Sequence, residues 1–112
     1  NHKIEESINY ARRIQASILP KPVVLSSVFP ESMMLFMPRD IVSGDSPFIV
    51  QHDEWLYAAA VDCTGHGVPG ALLSVIGTLI LSELTRYDSP TASVLCDKLH
   101  ELASNKWLMI RT

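Results

Sequence analysis

Residues 55–84 contain, in direct succession, an apolar run, a glycine-rich loop and a longer apolar stretch. No other feature of the sequence constrains the fold as strongly as this order. The run WLYAAAV at 55–61 is apolar at every position and leads into DCTGHGVPG at 62–70. A run that is apolar on both faces predicts a central strand. The stretch 71–84 is long and periodic enough for a mostly buried helix. The block therefore predicts a strand that passes through a tight loop into a core helix.

The residues before this block predict the partner strand. FIV at 48–50 and the turn-like QHDE at 51–54 precede the apolar run, so two antiparallel strands joined by a hairpin are expected. The segment 23–37 mixes β-branched and aromatic residues with serines and a proline, which predicts one broken strand or two short ones. Together with the helices, these strands indicate an α+β fold.

A helix is expected at 4–18, because its apolar residues recur at steps of three and four and therefore share one face. These residues are Ile4, Ile8, Ala11, Ile14 and Ile18. Pro20 and Pro22 end the helix. Two interpretations stay open: the helix packs on its own domain, or it continues upstream as a coiled-coil connector. A last helix through Ala103 would be capped by Ser89 or Thr91.

Composition excludes several classes of protein. The chain has 112 residues, 47% hydrophobic, with a formal charge of −3 and no dense cluster of Lys and Arg, so nucleic-acid binding is not expected. The stretch 71–81 is shorter than the ~20 residues of a membrane span, so no direct membrane insertion is expected. Two distant cysteines and no secretory leader indicate a cytoplasmic protein. The chain opens on Asn1 and stops without a closing element, which suggests a truncated piece.

An acid ends each of two neighbouring β segments. Asp45 closes VSGD at 42–45, and Asp62 follows the apolar run. If these segments lie side by side, the two carboxylates can meet and hold a hard divalent cation, which prefers oxygen ligands. Glycines beside both acids permit close approach of backbone or phosphate. Taken singly, each acid-glycine pair is typical of a turn, so a metal site and two turns both remain open.

A second motif competes for the same loop. GHGVPG at 65–70 satisfies the GxGxxG spacing of a dinucleotide site after a strand and before a helix. That fingerprint also requires an acid at the end of a second parallel strand about 20 residues further on. Here the region is predicted helix, with Glu83 inside it. Nucleotide binding is the weaker hypothesis.

Three blocks of the sequence resemble one family. They are ARRIQASILP at 11–20, PRDIVSGD at 38–45 and DCTGHGVPGALLS at 62–74. In this order they closely resemble the PP2C-like serine phosphatases of the bacterial stage II sporulation E type, and the resemblance runs from about residue 4 to residue 102.

The resemblance implies an α-β-β-α sandwich, in which antiparallel sheets lie between layers of helices. This chain would supply a partial domain: a connector or switch helix at 1–20 and the N-terminal portion of the phosphatase domain at 21–112. The implied reaction is hydrolysis of phosphoserine or phosphothreonine through a metal-activated water, with two Mn²⁺ or Mg²⁺ ions in the complete domain. The implied substrate is a signalling phosphoprotein such as an anti-sigma-factor antagonist.

Site residues carry over by position. The resemblance implies that Asp45 and Asp62 are metal ligands, with Asp62 the better candidate for a bridge between ions, and that the backbone carbonyl of Cys63 is a further ligand. Arg39 lies near the position of a phosphate-binding arginine, although a surface arginine is the alternative. His66 is a candidate general acid from its chemistry alone, since its position does not match the histidine of the eukaryotic relatives. The Cys63 side chain is expected to be structural.

Two departures from the family affect the expected activity. Ser46-Pro47-Phe48 replaces the usual aromatic run, and the family's further metal-binding aspartates come from a second half that this sequence lacks. The encoded metal centre is therefore expected to be incomplete and to bind metal weakly. The alternative function is a non-catalytic signalling or dimerisation module that uses the helix at 4–18 and forms a homodimer through it.

Overall fold

The computed structural model describes residues 2–38, 41–63, 65, 67–86, 90–105 and 110–111. These residues form four helices and three strands in an α+β arrangement. The elements are α1 His2–Ile18, α2 Pro22–Val28, β1 Asp45–His52, β2 Trp55–Cys63, α3 Gly67–Arg86, α4 Ala92–Asn105 and β3 Ile110–Arg111.

The strands form one antiparallel sheet in the order β1-β2-β3. β1 and β2 make the predicted hairpin, with a register that runs from His52 opposite Trp55 to Asp45 opposite Asp62. At the turn, Asp53 adopts a φ of 54°, a left-handed conformation that Asp tolerates better than most residues. β2 pairs with a strand on each side, which confirms its predicted central place.

One face of the sheet packs against helices α3 and α4. The buried core combines Phe48, Tyr57, Val61 and Cys63 from the strands with Leu81, Leu95 and Leu99 from the helices. The Tyr57 hydroxyl donates a hydrogen bond of 2.8 Å to the Pro90 carbonyl, which ties β2 to the start of α4. Within the described residues, the opposite face leaves Leu56, Ala58 and Ala60 exposed.

Helix α3 is longer than predicted, because it begins at Gly67 and runs for 20 residues. The prediction of a helix at 71–84 was therefore too short at both ends. By length and composition alone, with a mean hydropathy of 1.6, α3 could cross a membrane. Small buried residues such as Gly70, Ala71 and Ser74 line its inner side, and the helix packs against β1, β2, α1 and α4. Only 33% of its apolar window is buried, and Leu72, Ile76 and Leu79 are exposed, so the prediction of a mostly buried helix was wrong.

The strands predicted for 23–37 are wrong. Residues 22–28 form helix α2, while 29–38 form neither helix nor strand. Pro22 stands at the first helical position, where its fixed φ favours a helix and its missing N–H is not needed. In the following segment Met33, Leu35 and Met37 are exposed while Phe36 is half-buried. The alternation expected of a strand is present, but the described residues give it no strand partner.

The inner face of α1 differs from the predicted stripe at two of its five positions. Ile8, Ala11 and Ile18 lie at least partly buried, as predicted, but Ile4 and Ile14 are 58% and 44% exposed. Gln15 takes the inner position and is only 2% exposed. A helical turn of 3.6 residues allows either neighbour to face inward. The polar one is selected here because it finds hydrogen-bond partners.

The hairpin also bears on the dinucleotide hypothesis. β1 and β2 are antiparallel, and α3 leads to α4 rather than to a parallel strand. The described residues therefore do not form the βαβ unit that a GxGxxG fingerprint requires.

Candidate metal centre

Asp45 and Asp62 lie directly opposite each other at the open end of the hairpin. The Cys63 N–H donates a 3.0 Å hydrogen bond to the Gly44 carbonyl, so the preceding register pair, Gly44 and Cys63, is a hydrogen-bonded pair. Because such pairs alternate along an antiparallel ladder, Asp45 and Asp62 form a non-hydrogen-bonded pair, whose Cα atoms lie about 4.5 Å apart. In that geometry the side chains are closest. The register thus agrees with the predicted meeting of the two acids at one edge of the sheet, and their role as metal ligands stays a prediction.

The proximity of the two carboxyl groups changes their electrostatics. The pKa of Asp45 is raised by partial burial first, then by a hydrogen bond with the Asp62 carboxyl and by its negative charge. Two like charges this close repel each other, which disfavours the charged form of Asp45. A divalent cation would offset this repulsion. The donor set of two carboxylates therefore fits a hard cation such as Mn²⁺ or Mg²⁺.

Glycine backbones bring three segments into contact beside this pair. A Cβ on Gly44 would lie 2.8 Å from the Gly65 carbonyl oxygen and 2.9 Å from that of Cys63. A Cβ on Gly70 would lie 2.8 Å from the Gly65 carbonyl oxygen. Gly65 itself has a φ of +100°, which favours glycine. The loop before β1, the loop after β2 and the first turn of α3 can meet only because these side chains are absent.

The Cys63 thiol is unsuited to nucleophilic chemistry. Cys63 is 3% exposed. Burial, followed by the negative charges of Asp62 and Asp45, raises the pKa of its thiol to about 11. A buried thiol with a high pKa is mostly protonated and inert. The Cys63 carbonyl oxygen, at the end of β2, lies beside Gly44 in the loop before β1. Its role as a metal ligand stays a prediction.

Gln15 connects α1 to the loop that carries Asp45. Its carboxamide Nε2 donates to the Ser43 carbonyl, and its Oε1 accepts from the Ser43 N–H at 3.0 Å. The Ser43 hydroxyl in turn accepts the Asp45 N–H at 3.0 Å. Sequence reasoning missed Gln15. The available signal was a glutamine seven residues after Ile8 and four after Ala11, on the apolar face of the helix.

The surroundings of the carboxyl pair are open. A hollow of about 340 Å³ lies beside Asp45 and Asp62, and Phe36 and Pro47 form part of its wall. Within the described part of the chain, no group of three or more His, Cys, Asp and Glu side chains is arranged to hold a metal ion. The two aspartates thus supply only part of a coordination shell.

Two other predicted site residues, Arg39 and His66, lie outside the described residues. The phosphate-binding role of Arg39 and the acid role of His66 stay predictions.

The fold is similar to a solved structure, the SiaA-PP2C domain of Pseudomonas aeruginosa, with 36% sequence identity and a TM-score of 0.66. The similarity covers 75% of this chain and 34% of that one, so the chain spans about a third of the length of its structural relative. No family model and no curated protein matches the sequence.

The antiparallel hairpin, the helices packed on one of its faces and this similarity agree with the fold class expected from the sequence. The chain has a partial PP2C-like phosphatase fold of the α+β class.

Proposed function

We propose that this chain is the N-terminal portion of a metal-dependent protein serine/threonine phosphatase of the stage II sporulation E type. Its reaction is hydrolysis of phosphoserine or phosphothreonine on a signalling protein. The observation that carries the proposal is the placement of Asp45 directly opposite Asp62. The three sequence blocks and the similarity to the SiaA-PP2C domain support it.

In this proposal each residue of the centre has a separate task. Asp45 and Asp62 hold Mn²⁺ or Mg²⁺ through their carboxylates, and the Cys63 carbonyl adds an oxygen ligand. When bound, the ions lower the pKa of a water molecule and offset the charge of the phosphate. Arg39 binds the substrate phosphate through its planar guanidinium. His66 protonates the leaving serine or threonine oxygen.

The wider setting is also proposed. The substrate is a phosphoprotein of the anti-sigma-factor-antagonist kind, and the site of action is the cytoplasm. Because the chain spans about a third of its structural relative, further ligands would come from outside this sequence. We therefore expect the chain to bind Mn²⁺ weakly and to turn over slowly by itself.

Calorimetric titration with MnCl₂ tests the metal site directly. The wild-type chain should give saturable heat, Asp62→Asn should lose it, and Asp97→Asn, an exposed acid on α4, should keep it. Equal binding by Asp62→Asn and the wild type would contradict the proposal. Hydrolysis of a phosphoserine peptide by this chain and by a longer one then separates metal binding from turnover.

The exposure of α1 favours a second candidate function, a dimerisation module. Ile4 and Ile14 are 58% and 44% exposed on this helix, and Tyr10 is also exposed. This function predicts that Ile14→Glu converts a dimer to a monomer in sedimentation velocity, whereas Asp45→Asn and Asp62→Asn leave the dimer intact. A wild-type chain that is monomeric at all concentrations would exclude it.

A further inference from the structure

We infer that the protein has a second binding site, between β2 and α4, for a small uncharged apolar molecule the size of one aromatic ring. The site includes neither carboxyl group of the candidate metal centre, so the inference goes beyond the proposed function and does not rest on it.

The site is a cavity of about 140 Å³ between the sheet and α4. None of the residues that line it is Lys, Arg, His, Asp or Glu. A charged molecule would therefore lose its hydration there without gaining a partner, whereas an apolar molecule would not. Most of the wall consists of core side chains, which are Phe48, Tyr57, Val61, Leu81, Leu95 and Leu99.

The residue at position 59 explains why the cavity lies there. Successive side chains of a strand point to opposite faces, so Tyr57, Ala59, Val61 and Cys63 share the face that packs on the helices. Tyr57, Val61 and Cys63 are 8%, 4% and 3% exposed, but Ala59 is exposed. Alanine is too short to reach α4, and it leaves a gap among its larger neighbours.

The opposite wall is also built from short side chains. Ala92 and Cys96 lie four residues apart on α4, which places them on the same side of that helix, and both line the cavity. Both are also exposed. The cavity therefore opens to solvent beside these two residues, and a small molecule can enter without unfolding of the core.

Larger residues keep the cavity from collapsing. The Tyr57 hydroxyl bonds to the Pro90 carbonyl at 2.8 Å and holds the start of α4 against the sheet. Further along α4, Leu95 and Leu99 are buried in the core. Cavities persist where the surrounding structure relaxes only partially, so this one is formed before a ligand arrives.

The size and polarity of the cavity set the class of ligand. An apolar cavity of about 150 Å³ is large enough to bind benzene. Water in such a space finds few hydrogen-bond partners, and its displacement by an apolar group favours binding. The cavity thus fits a single uncharged ring.

The test is a titration of the 112-residue chain with benzene, followed by amide NMR, with benzoate as the charged comparison. Two variants fill the cavity from opposite walls, Ala59→Leu from the strand and Ala92→Leu from the helix. Ala58→Leu is the matched control, because Ala58 is an exposed alanine of the same strand whose side chain points to the opposite face. Melting temperatures are measured with and without benzene.

We expect saturable benzene-induced shifts in the wild type and in Ala58→Leu, at amides of residues that line the cavity. Benzene should raise the melting temperature of both proteins, because a ligand that binds only the native state stabilises it. Ala59→Leu and Ala92→Leu should lose the shifts and the benzene-dependent rise. Benzoate should produce no shifts at these amides.

Three results would overturn the inference. They are the absence of saturable shifts in the wild type, equal shifts in a cavity-filling variant that folds, and equal binding of benzoate. If one filling variant does not fold, the other decides, since their substitutions lie on different elements. Asp62→Asn should bind benzene as the wild type does, so failure of the metal site leaves this inference standing.

Discussion

Gly44 and Gly70 touch through their backbones, so that a Cβ on Gly70 would lie 3.3 Å from the Cα of Gly44. Gly44 precedes the first acid of the candidate centre, and Gly70 belongs to the first turn of α3. The contact brings this helical turn against the loop that carries Asp45. The spacing of the two glycines in sequence gives no hint of this approach, which depends on the hairpin between them.

This contact predicts that Gly44→Ala destabilises the protein. The added methyl group would meet two backbone carbonyl oxygens at 2.8 and 2.9 Å, and backbone atoms cannot move aside as a flexible side chain can. Overpacking of this kind typically lowers the free energy of unfolding by about 1–3 kcal/mol. Urea unfolding measures the change, with the exposed substitution Asn9→Ala as the control. An unchanged midpoint would show that the loops separate easily.

Asp45→Asn should stabilise the metal-free protein and abolish its stabilisation by Mn²⁺. Like charges directly opposite in an antiparallel pair are destabilising, by roughly 0.2–1 kcal/mol, and the Asn amide can donate to the Asp62 carboxylate. A ligand raises stability only when the native state binds it. Thermal unfolding with and without MnCl₂ measures both effects, and Asp97→Asn is the control. A destabilised metal-free variant, or a retained Mn²⁺ response, would contradict this expectation.

The same pair predicts a pH dependence for the metal-free chain. The pKa of Asp45 is higher in the folded state than the ordinary value of 3.8, so the folded state holds more protons in the window between the two pKa values. The contribution of the Asp45 carboxyl to the free energy of unfolding is fully present below pH 3.8. It is lost as the pH rises through the pKa that Asp45 has in the folded state. Two of the three causes of the shift come from Asp62.

Urea unfolding from pH 3.5 to 6 tests this sign. Over that pH range the free energy of unfolding should fall more for the wild type than for Asp62→Asn. The contributions of the other carboxyl groups are common to both proteins and cancel in the comparison. An equal slope for both proteins would show that the two carboxyl groups do not interact in solution.

The hairpin and the meeting of Asp45 with Asp62 could be predicted because strand alternation is local and each acid ends its strand. Helix α2 could not, because Val23 and Val24 favour strands in general while Pro22 at the helix start decides the local structure. Propensity is a weak guide when a single residue fixes the backbone.

Gln15 escaped prediction for a different reason. Hydrophobic periodicity assigns the inner face of α1 to apolar residues, so Ile14 was the natural choice, yet it is the half-exposed neighbour of a buried glutamine. The partner of Gln15 is 28 residues away, and no local pattern reports a contact of that range. Arg39 and His66 stay predictions, since they lie outside the described residues.

The exposed apolar side of the segment after α2 predicts self-association. Met33, Leu35 and Met37 are each more than three-quarters exposed and alternate with partly buried residues along a segment that is neither helix nor strand. Exposed apolar surface favours association with another chain. Replacing all three with Thr should reduce the apparent mass in light scattering at high concentration, without a change in melting temperature. Equal association of the triple variant would place the contact elsewhere.

The two cysteines should differ sharply in their reaction with iodoacetamide. Cys96 is exposed on α4, whereas Cys63 is buried and its pKa is raised from 9.0 to about 11. That shift alone lowers the thiolate fraction at pH 8 about a hundredfold, since each pKa unit is a factor of ten. Mass spectrometry of tryptic peptides should show one modification per folded chain, at Cys96, and a second at Cys63 only after unfolding in urea. Comparable rates at both residues in the folded protein would mean that the β2 end opens often, and would weaken the case for a preformed pair of aspartates beside it.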